Sequence, residues 1–552
     1  MNATHEVMNQ STPFVDVNLF DSDRALRDAL AFNLPNYDAQ AMSALGAEAG
    51  SAQTAEHARL ANVHAPELRT HDRFGHRVDQ VEFHPSYHAL LGGALRHGLH
   101  GAPWSRPAGA HILRAAGFIV YTQAEPSVLC PVSMSYAVTP ALRANAPLYD
   151  AWSTRIASTQ YDGRFAPMPR KTAVTLGMGM TEKQGGSDVR ANTTRAEPDG
   201  DDAWGRRVRV TGHKWFMSAP MCDAFLVLAK SANGLSCYFL PRWRLDESIN
   251  VLRIQRLKDK LGNKANASSE VEFDGSSAWL VGEEGRGVPQ ILAMGAITRL
   301  DCALGTAGLM RQALALAMHH CAQRSAFGRK LIAQPLMKNV LADLALESEA
   351  ATALALRLAR AVDHTENGND ASGHEALLRR VLTPIAKFWI CKRGSAFAQE
   401  AMECLGGNGY VEEHGEGAMA RVYREMPLNS IWEGAGNIMA LDLLRALRTG
   451  PVGDALMHEL TPARAHHAGF DRVAESLPAR IDGATDEADA RRLARDVALA
   501  VQAALLKQHA PADVFDTFCA SRFGDVGGGG AFGLLSARAP LDALIARASP
   551  HG

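Results

Sequence analysis

No uninterrupted apolar run in the 552 residues approaches the roughly 20 that a membrane-spanning helix needs. The opening residues, Met1-Asn-Ala-Thr-His-Glu-Val7, lack both the basic start and the apolar core of a secretory signal. No Cys-x-x-Cys pair occurs among the eight cysteines, at 130, 222, 237, 302, 321, 391, 404 and 519. Scattered thiols of this kind read as reduced, mostly buried side chains. No charge of one sign dominates: 57 Lys and Arg stand against 59 Asp and Glu, a formal net charge of −2. That balance neither favours nor opposes nucleic acid, because a local patch can hide in a neutral total. No internal repeat of fixed period is present. The expectation is a soluble, cytoplasmic, globular chain without a membrane partner, long enough for about three to four compact units.

Residues 1 to about 23 are polar, broken by Ser11-Thr-Pro13, and read as an irregular arm. Helix-like runs follow at 44–60, 88–99 and 110–121, separated by turns holding Pro66, Gly75 and Pro103. Trp104 and Tyr121 fit core packing. The period then changes. Val208 and Val210 alternate with arginine, residues 225–229 are continuously apolar, and Asn233-Gly234 before the next apolar alternation predicts a hairpin. Glu270-Val-Glu-Phe273 alternates as another strand. From Gly295 the pattern is helical again. Leu336, Val340, Leu341, Leu344, Ala351, Leu354, Leu358 and Val362 keep one apolar face, interrupted only by Glu347, and Pro335 suits the first helical position. Residues 366–373 form a loop between two long helices, which implies a bundle. Thr449-Gly-Pro-Val-Gly453 marks a boundary before an Ala-rich helical tail, itself broken by a flexible glycine run at 527–530. The expected fold class is mostly α with an inserted β domain. Its domains are an N-terminal helical domain (1–175), the β domain (176–290), a helical bundle (291–448) and a helical extension (449–552).

Two stretches carry chemistry. Gly177-Met-Gly-Met-Thr-Glu-Lys-Gln-Gly-Gly-Ser-Asp-Val189 follows a β-like run and places Thr181 and Ser187 around Gly185-Gly186. Paired glycines let backbone N–H groups approach a ligand, and the two hydroxyls can bond one polar edge. Gly-Gly-Ser-Asp alone reads more readily as a surface turn. The second stretch is Asn429-Ser-Ile-Trp-Glu-Gly-Ala-Gly-Asn437. Its Glu433 sits between Ile431-Trp432 and small residues, a setting that lifts a carboxyl pKa and makes a more effective base.

Both stretches resemble motifs of the acyl-CoA dehydrogenase family. The first is similar to its flavin loop Thr-Glu-Pro-Gly-Ala-Gly-Ser-Asp, with Lys183-Gln-Gly-Gly186 in place of Pro-Gly-Ala-Gly. The second is similar to Ile-Tyr-Glu-Gly-Thr, which holds the family's catalytic base; Trp432 replaces Tyr and Ala435 replaces Thr. Lys214-Trp-Phe-Met-Ser218 resembles Lys-Met-Trp-Ile-Thr, which faces the isoalloxazine. Arg324-Ser-Ala-Phe-Gly328 matches Arg-x-x-Phe-Gly, and Leu405-Gly-Gly-Asn-Gly-Tyr410 matches a dinucleotide-side loop, with Glu403 where the family often has Gln. The resemblance therefore implies FAD as cofactor and Glu433 as base. It implies cofactor contacts at Met178, Met180, Thr181, Gly186, Ser187, Phe216, Met217 and Ser218. Further contacts are implied at Arg324, Phe327, Gly406, Gly407, Trp432, Gly434, Gly436 and Asn437. The run at 130–136 corresponds to a region beside the family's substrate channel.

Finer matches at Arg59-Leu-Ala-Asn-Val63, Val81-Glu-Phe-His-Pro85 and Leu257-Lys-Asp-Lys-Leu-Gly262 resemble the AidB-type branch. That branch carries a carboxy-terminal addition associated with double-stranded DNA and the response to alkylation damage, and the family assembles as tetramers. Two functions stay open. One is a metabolic flavoenzyme that removes the α-proton of an acyl-CoA. The other is a DNA-binding flavoprotein with weak or residual dehydrogenase chemistry. Residues 441–552 hold 12 Lys and Arg against 14 Asp and Glu, so duplex binding would need a folded patch. Arg445, Arg448 and Arg522 are its candidates, with Arg491, Arg492 and Arg495 as further members.

Overall fold

A computed structural model describes residues 4–483, 486–524 and 530–551. The chain divides into two compact units, each built from separated segments: 56–110 with 125–301, and 1–55 with 111–124 and 302–552. This differs from four consecutive domains. The helical residues after 448 belong to the same unit as the bundle, and the amino-terminal helices are shared out between the two.

The first of these units holds a seven-stranded sheet and a separate two-stranded one, made of its first two strands. Its strands are β1 (Glu67–His71), β2 (Arg77–Glu82), β3 (Leu176–Gly179), β4 (Arg195–Asp202), β5 (Gly205–Ser218), β6 (Ala224–Ser231), β7 (Gly234–Pro241), β8 (Arg253–Leu257) and β9 (Ser268–Leu280). The β1–β2 hairpin was not anticipated, because Pro66 and Gly75 read as turns between helices. Strands β6, β4, β5, β9 and β7 pair in turn, and β7 pairs back onto β6, so the sheet closes on itself. Closure leaves an interior that alternate residues must fill. Val208, Val210, Phe225, Val227, Tyr238, Leu240, Val271 and Phe273 do so. The predicted hairpin forms one residue earlier than expected. Ser231 pairs with Gly234 across a two-residue loop, and Gly234 has φ 114°.

The other unit is helical. Pro335–Glu366 starts on its proline, as expected, and packs along His374–Glu403. It does not keep one apolar face toward a core and one toward solvent. From Leu341 to Ala359 every residue is buried, because Ala490–His509 and Leu541–Ala548 cover its other sides. The run expected at 44–60 is two helices, Ala39–Ala49 and Ala52–Val63. Gly50 separates them where the amino-terminal arm crosses: a Cβ there would lie 1.7 Å from the Val17 carbonyl oxygen.

All eight cysteines are free and buried. No helix among the described residues is long and apolar enough to cross a membrane. Of the glycine run at 527–530, only Gly530 lies within the described residues.

Candidate functional site

In the sheet unit, the Gly177–Val189 stretch begins as β3, parallel to β6 and buried throughout. Its glycines allow that closeness: a Cβ on Gly177 would lie 2.7 Å from the Ser218 carbonyl oxygen, and one on Gly179 2.4 Å from the Met217 sulfur. Beyond β3 the Met180 carbonyl accepts from Asn192 Nδ2 at 2.9 Å, and the Thr181 carbonyl from the Trp215 N–H at 2.8 Å. The chain then reverses, with Glu182 and Gly185 exchanging N–H···O bonds of 3.1 and 3.2 Å. Gly186 and Ser187 emerge into solvent. Thr181 Oγ1 is buried and has no hydrogen-bond partner among the described residues.

Beneath this turn lies an ion pair that sequence reasoning passed over. Glu182 Oε1 and Lys214 Nζ are 2.8 Å apart, both side chains fully enclosed. Burial works against the ionised carboxyl. The Lys214 ammonium and hydrogen bonds from Thr193 and Thr194 outweigh it and hold the pKa at about 2. Lys214 is pushed down to about 8, with burial the larger influence and Glu182 opposing it. The signal was the acid directly after Thr181, in a motif where only the glycines and hydroxyls drew notice.

Strand β5 presents the second motif. Lys214 pairs with Val271 but Met217 with Ser269, so β5 carries one extra residue there. That bulge turns Lys214 and Met217 inward together and leaves the adjacent Trp215 and Phe216 outward. Phe216 is 51 % exposed, and Lys258 Nζ lies 3.3 Å from the Trp215 ring centroid and 4.6 Å from that of Phe216. Ser218 is half-buried. Met178 is buried in β3 and Met217 is fully enclosed in the barrel core, so the contacts expected of them fall to their main chains.

In the helical unit, Glu433 sits on a loop closed by a buried amine. Lys387 Nζ donates to the carbonyls of Asn429 (3.1 Å) and Gly434 (2.7 Å), clamping both ends. Trp432 Nε1 donates to Asn429 Oδ1 at 2.9 Å, and Asn429 Nδ2 to Thr306 Oγ1 at 3.2 Å. Glu433 has φ 60°, which few residues other than glycine adopt, and is half-buried. Gly434 follows at φ 102°, and Gly436 opens the helix Gly436–Leu447 with Asn437 exposed beside it. Ile431 departs from the apolar flank expected of it, being 62 % exposed. Lys387 escaped notice, although a lone lysine inside Ile385-Ala-Lys-Phe-Trp-Ile390 is the mark of an internal amine.

The same unit holds the other two motifs. Phe327 and Gly328 form the tip of a small hairpin in which Ser325 pairs with Lys330 and Ala326 with Arg329. Both tip residues have positive φ, 51° and 78°, as a two-residue hairpin turn demands. Phe327 is 97 % exposed. Arg324 Nη1 donates to the Asn9 carbonyl at 2.6 Å. Gly406 has φ 61°, Gly407 begins the short helix Gly407–Tyr410, and a Cβ on either would meet nothing within 4 Å.

The three candidate arginines part company. Arg445 is exposed, 3.9 Å from Asp442, and Arg448 is exposed at the end of the same helix. Arg522 is no surface cation. It bonds Asp343 Oδ1 at 2.7 Å and Glu347 Oε2 at 3.0 Å with its side chain 12 % exposed. A guanidinium shared between two buried carboxylates is not available to phosphate, so its assignment to DNA is corrected.

Comparison with known proteins accounts for this arrangement. Residues 177–276 match the acyl-CoA dehydrogenase middle domain and 285–448 the acyl-CoA dehydrogenase C-terminal domain. Residues 9–163 match the N-terminal domain of the adaptive response protein AidB. The chain belongs to the acyl-CoA dehydrogenase family, in its AidB-type branch. It is 46 % identical to AidB of Escherichia coli (strain K12), itself classed with the acyl-CoA dehydrogenases, over 88 % of each chain. Among solved structures, Caenorhabditis elegans ACDH-11 in complex with C11-CoA superposes with a TM-score of 0.83 at 25 % identity, covering 94 % of this chain and 93 % of that one. The Bd2924 apo-form gives the same TM-score at 30 % identity, covering 92 % and 100 %.

Proposed function

We propose that the protein is an FAD-containing, acyl-CoA dehydrogenase-type flavoprotein that binds double-stranded DNA, serves the response to alkylation damage and retains weak oxidation of acyl-CoA thioesters. It works in the cytoplasm as a homotetramer. The residues fit the flavin on one point of structure: Thr181 Oγ1 is a buried hydroxyl without a partner among the described residues, on a turn braced by the Glu182–Lys214 pair. A buried polar group without a partner is costly, and a ligand that supplies one relieves it. Thr181, Gly186, Ser187, Phe216 and Ser218 would hold the flavin ring, and Arg324, Phe327, Gly406 and Gly407 the dinucleotide end of a flavin bound mainly by a neighbouring subunit. FAD, when bound, supplies the hydride acceptor.

The observation that carries the reading is the Glu433 loop. The carboxylate stands in a left-handed conformation on a loop whose carbonyls at Asn429 and Gly434 are both held by the buried Lys387, so its backbone is fixed from inside the fold. Such a group takes the proton at the α-carbon of an acyl thioester, and the fixed loop spares it reorientation. Trp432, held by Asn429, walls one side. Anaerobic addition of acyl-CoAs of graded length to the yellow protein tests this: bleaching of the flavin band is expected, and none with any chain length would refute it.

A second reading, a metabolic acyl-CoA dehydrogenase without DNA binding, draws on the ACDH-11 complex with C11-CoA and on the loss of Arg522 from the basic patch. Duplex binding measured at several salt concentrations separates the two.

A further inference from the structure

The amino-terminal arm, which the sequence presents only as polar and irregular, is stitched to both loops assigned above to the dinucleotide end. Asn9 makes a two-way pair with the first: its Oδ1 accepts from the Ser325 N–H and its Nδ2 donates to the Ser325 carbonyl, each at 2.8 Å. The Asn9 carbonyl takes one arm of the Arg324 guanidinium at 2.6 Å, which orients the rest of the fork. The next residue reaches the second loop, with Asn408 Nδ2 donating to Gln10 Oε1 at 3.3 Å. Residues 9 and 10 thus bridge the Arg324–Gly328 hairpin and the Gly406–Tyr410 turn.

The bridge is itself anchored. The Thr12 N–H donates to Gln323 Oε1 at 2.7 Å, the Thr12 carbonyl meets His319 Nε2 at 2.8 Å, and Ser11 Oγ meets His320 Nδ1 at 3.0 Å. Further along, the Asp16 N–H donates to the Gly50 carbonyl at 2.8 Å and the Leu19 N–H to that of Gly46 at 3.1 Å. Asn9 has φ 57°, a conformation asparagine tolerates better than most residues. The loops it joins present Phe327 and Tyr410, 97 % and 76 % exposed, so neither is held by packing of its own tip.

We infer that Asn9 is a positioning residue, and the arm a brace that sets the two loops in register for the adenosine-pyrophosphate half of the flavin dinucleotide. This rests on the flavin reading above. Ordering a loop before binding removes an entropic cost that would otherwise be charged against affinity. The brace therefore acts on FAD, which has that half, and not on FMN, which lacks it.

The test is Asn9→Gly in the full chain. Glycine keeps the positive φ without strain and deletes both side-chain bonds to Ser325. Apoprotein is titrated with FAD and with FMN, following flavin fluorescence, and its melting temperature is recorded without flavin. The expected result is an FAD Kd raised roughly tenfold, the scale set by two lost hydrogen bonds, with FMN affinity and apoprotein melting unchanged. An unchanged FAD Kd overturns the inference. So does a matching loss of FMN affinity or of apoprotein melting temperature, which would mark general damage. If FMN binds too weakly to measure, the FAD Kd and the melting temperature decide alone. Wild-type protein that takes up no FAD overturns the flavin reading instead.

Discussion

The ammonium of Lys387 lies 2.7 Å from the carbonyl oxygen of Gly434, one residue beyond Glu433. Because the same ammonium also holds the Asn429 carbonyl, one buried side chain sets the span of the loop that carries Glu433. Lys387→Met keeps the bulk and strands two carbonyls, at about 1–3 kcal/mol each. The expected outcome is a lower melting temperature and slower acyl-CoA-dependent flavin bleaching, by up to about a hundredfold if the carboxylate moves by an ångström. Bleaching at the wild-type rate would show that the clamp does not place Glu433.

Glu433→Gln keeps the shape of the side chain and removes its basicity. Acyl-CoA oxidation should fall by about 10² to 10⁴, while the visible spectrum still shows bound FAD. Stopped-flow bleaching checks the first and the flavin-to-protein absorbance ratio the second. A loss of only a few-fold would assign proton removal to another group.

Thr181→Ala with Ser187→Ala should weaken FAD retention, each lost hydrogen bond being worth about 0.5–1.5 kcal/mol. Thr181 should contribute more, because its hydroxyl is buried while Ser187 is exposed. Equilibrium dialysis of the single variants against FAD ranks the two.

Glu182 ties stability to pH. Its folded pKa, about 2, lies below the ordinary 4.5, so the unfolded chain binds the proton more readily. The ionised pair therefore stabilises the fold fully above about pH 4.5, and that contribution drains away as pH falls toward 2. Glu182→Gln leaves Lys214 buried and unpaired and should cost about 3–5 kcal/mol at pH 7. The gap between variant and wild type in denaturant unfolding should narrow below pH 4.5. A gap constant from pH 7 to pH 3 would refute the assignment.

Arg445→Ala with Arg448→Ala should lower duplex affinity for all sequences alike and reduce the salt slope by nearly one per lost phosphate contact. Arg522→Ala should behave differently. It leaves Asp343 and Glu347 without the guanidinium they share and should cost about 3–5 kcal/mol of stability. Wild-type affinity and salt slope in the folded double variant would move DNA to another surface or favour the metabolic reading.

Local signals were legible where they were strong. Proline at 335, the strand alternation at 270–273 and the hairpin near 233 all appear where short-range chemistry puts them, the last displaced by one residue. The β1–β2 hairpin was not legible, since Pro66 and Gly75 punctuate helices and strands alike. Nor was the burial of the helix at 335–366: its apolar face showed in the periodicity, but the partners of Asp343, Glu347, Glu349 and Arg357 lie up to about two hundred residues away. At the site, motif spacing brought out Thr181 and Glu433. It missed the groups that hold them, Glu182 and Lys387, because positioning is done by neighbours in space.

The helix Pro335–Glu366 has a bearing on how this chain can be rebuilt. Its Glu349 meets Arg547, its Arg357 meets Glu459, and its Asp343 and Glu347 meet Arg522. Each of these pairs has one member beyond residue 448, beside the Glu375 that also meets Arg357 and the Arg393 that also meets Glu347. The last hundred residues are therefore no cassette to be grafted onto a shorter relative. A recipient whose equivalent helix turned a polar side to water would offer no matching charges, and a donor stripped of the tail would be left with buried acids facing solvent. Helix and tail can be exchanged between proteins only as a single inheritance, charge for charge.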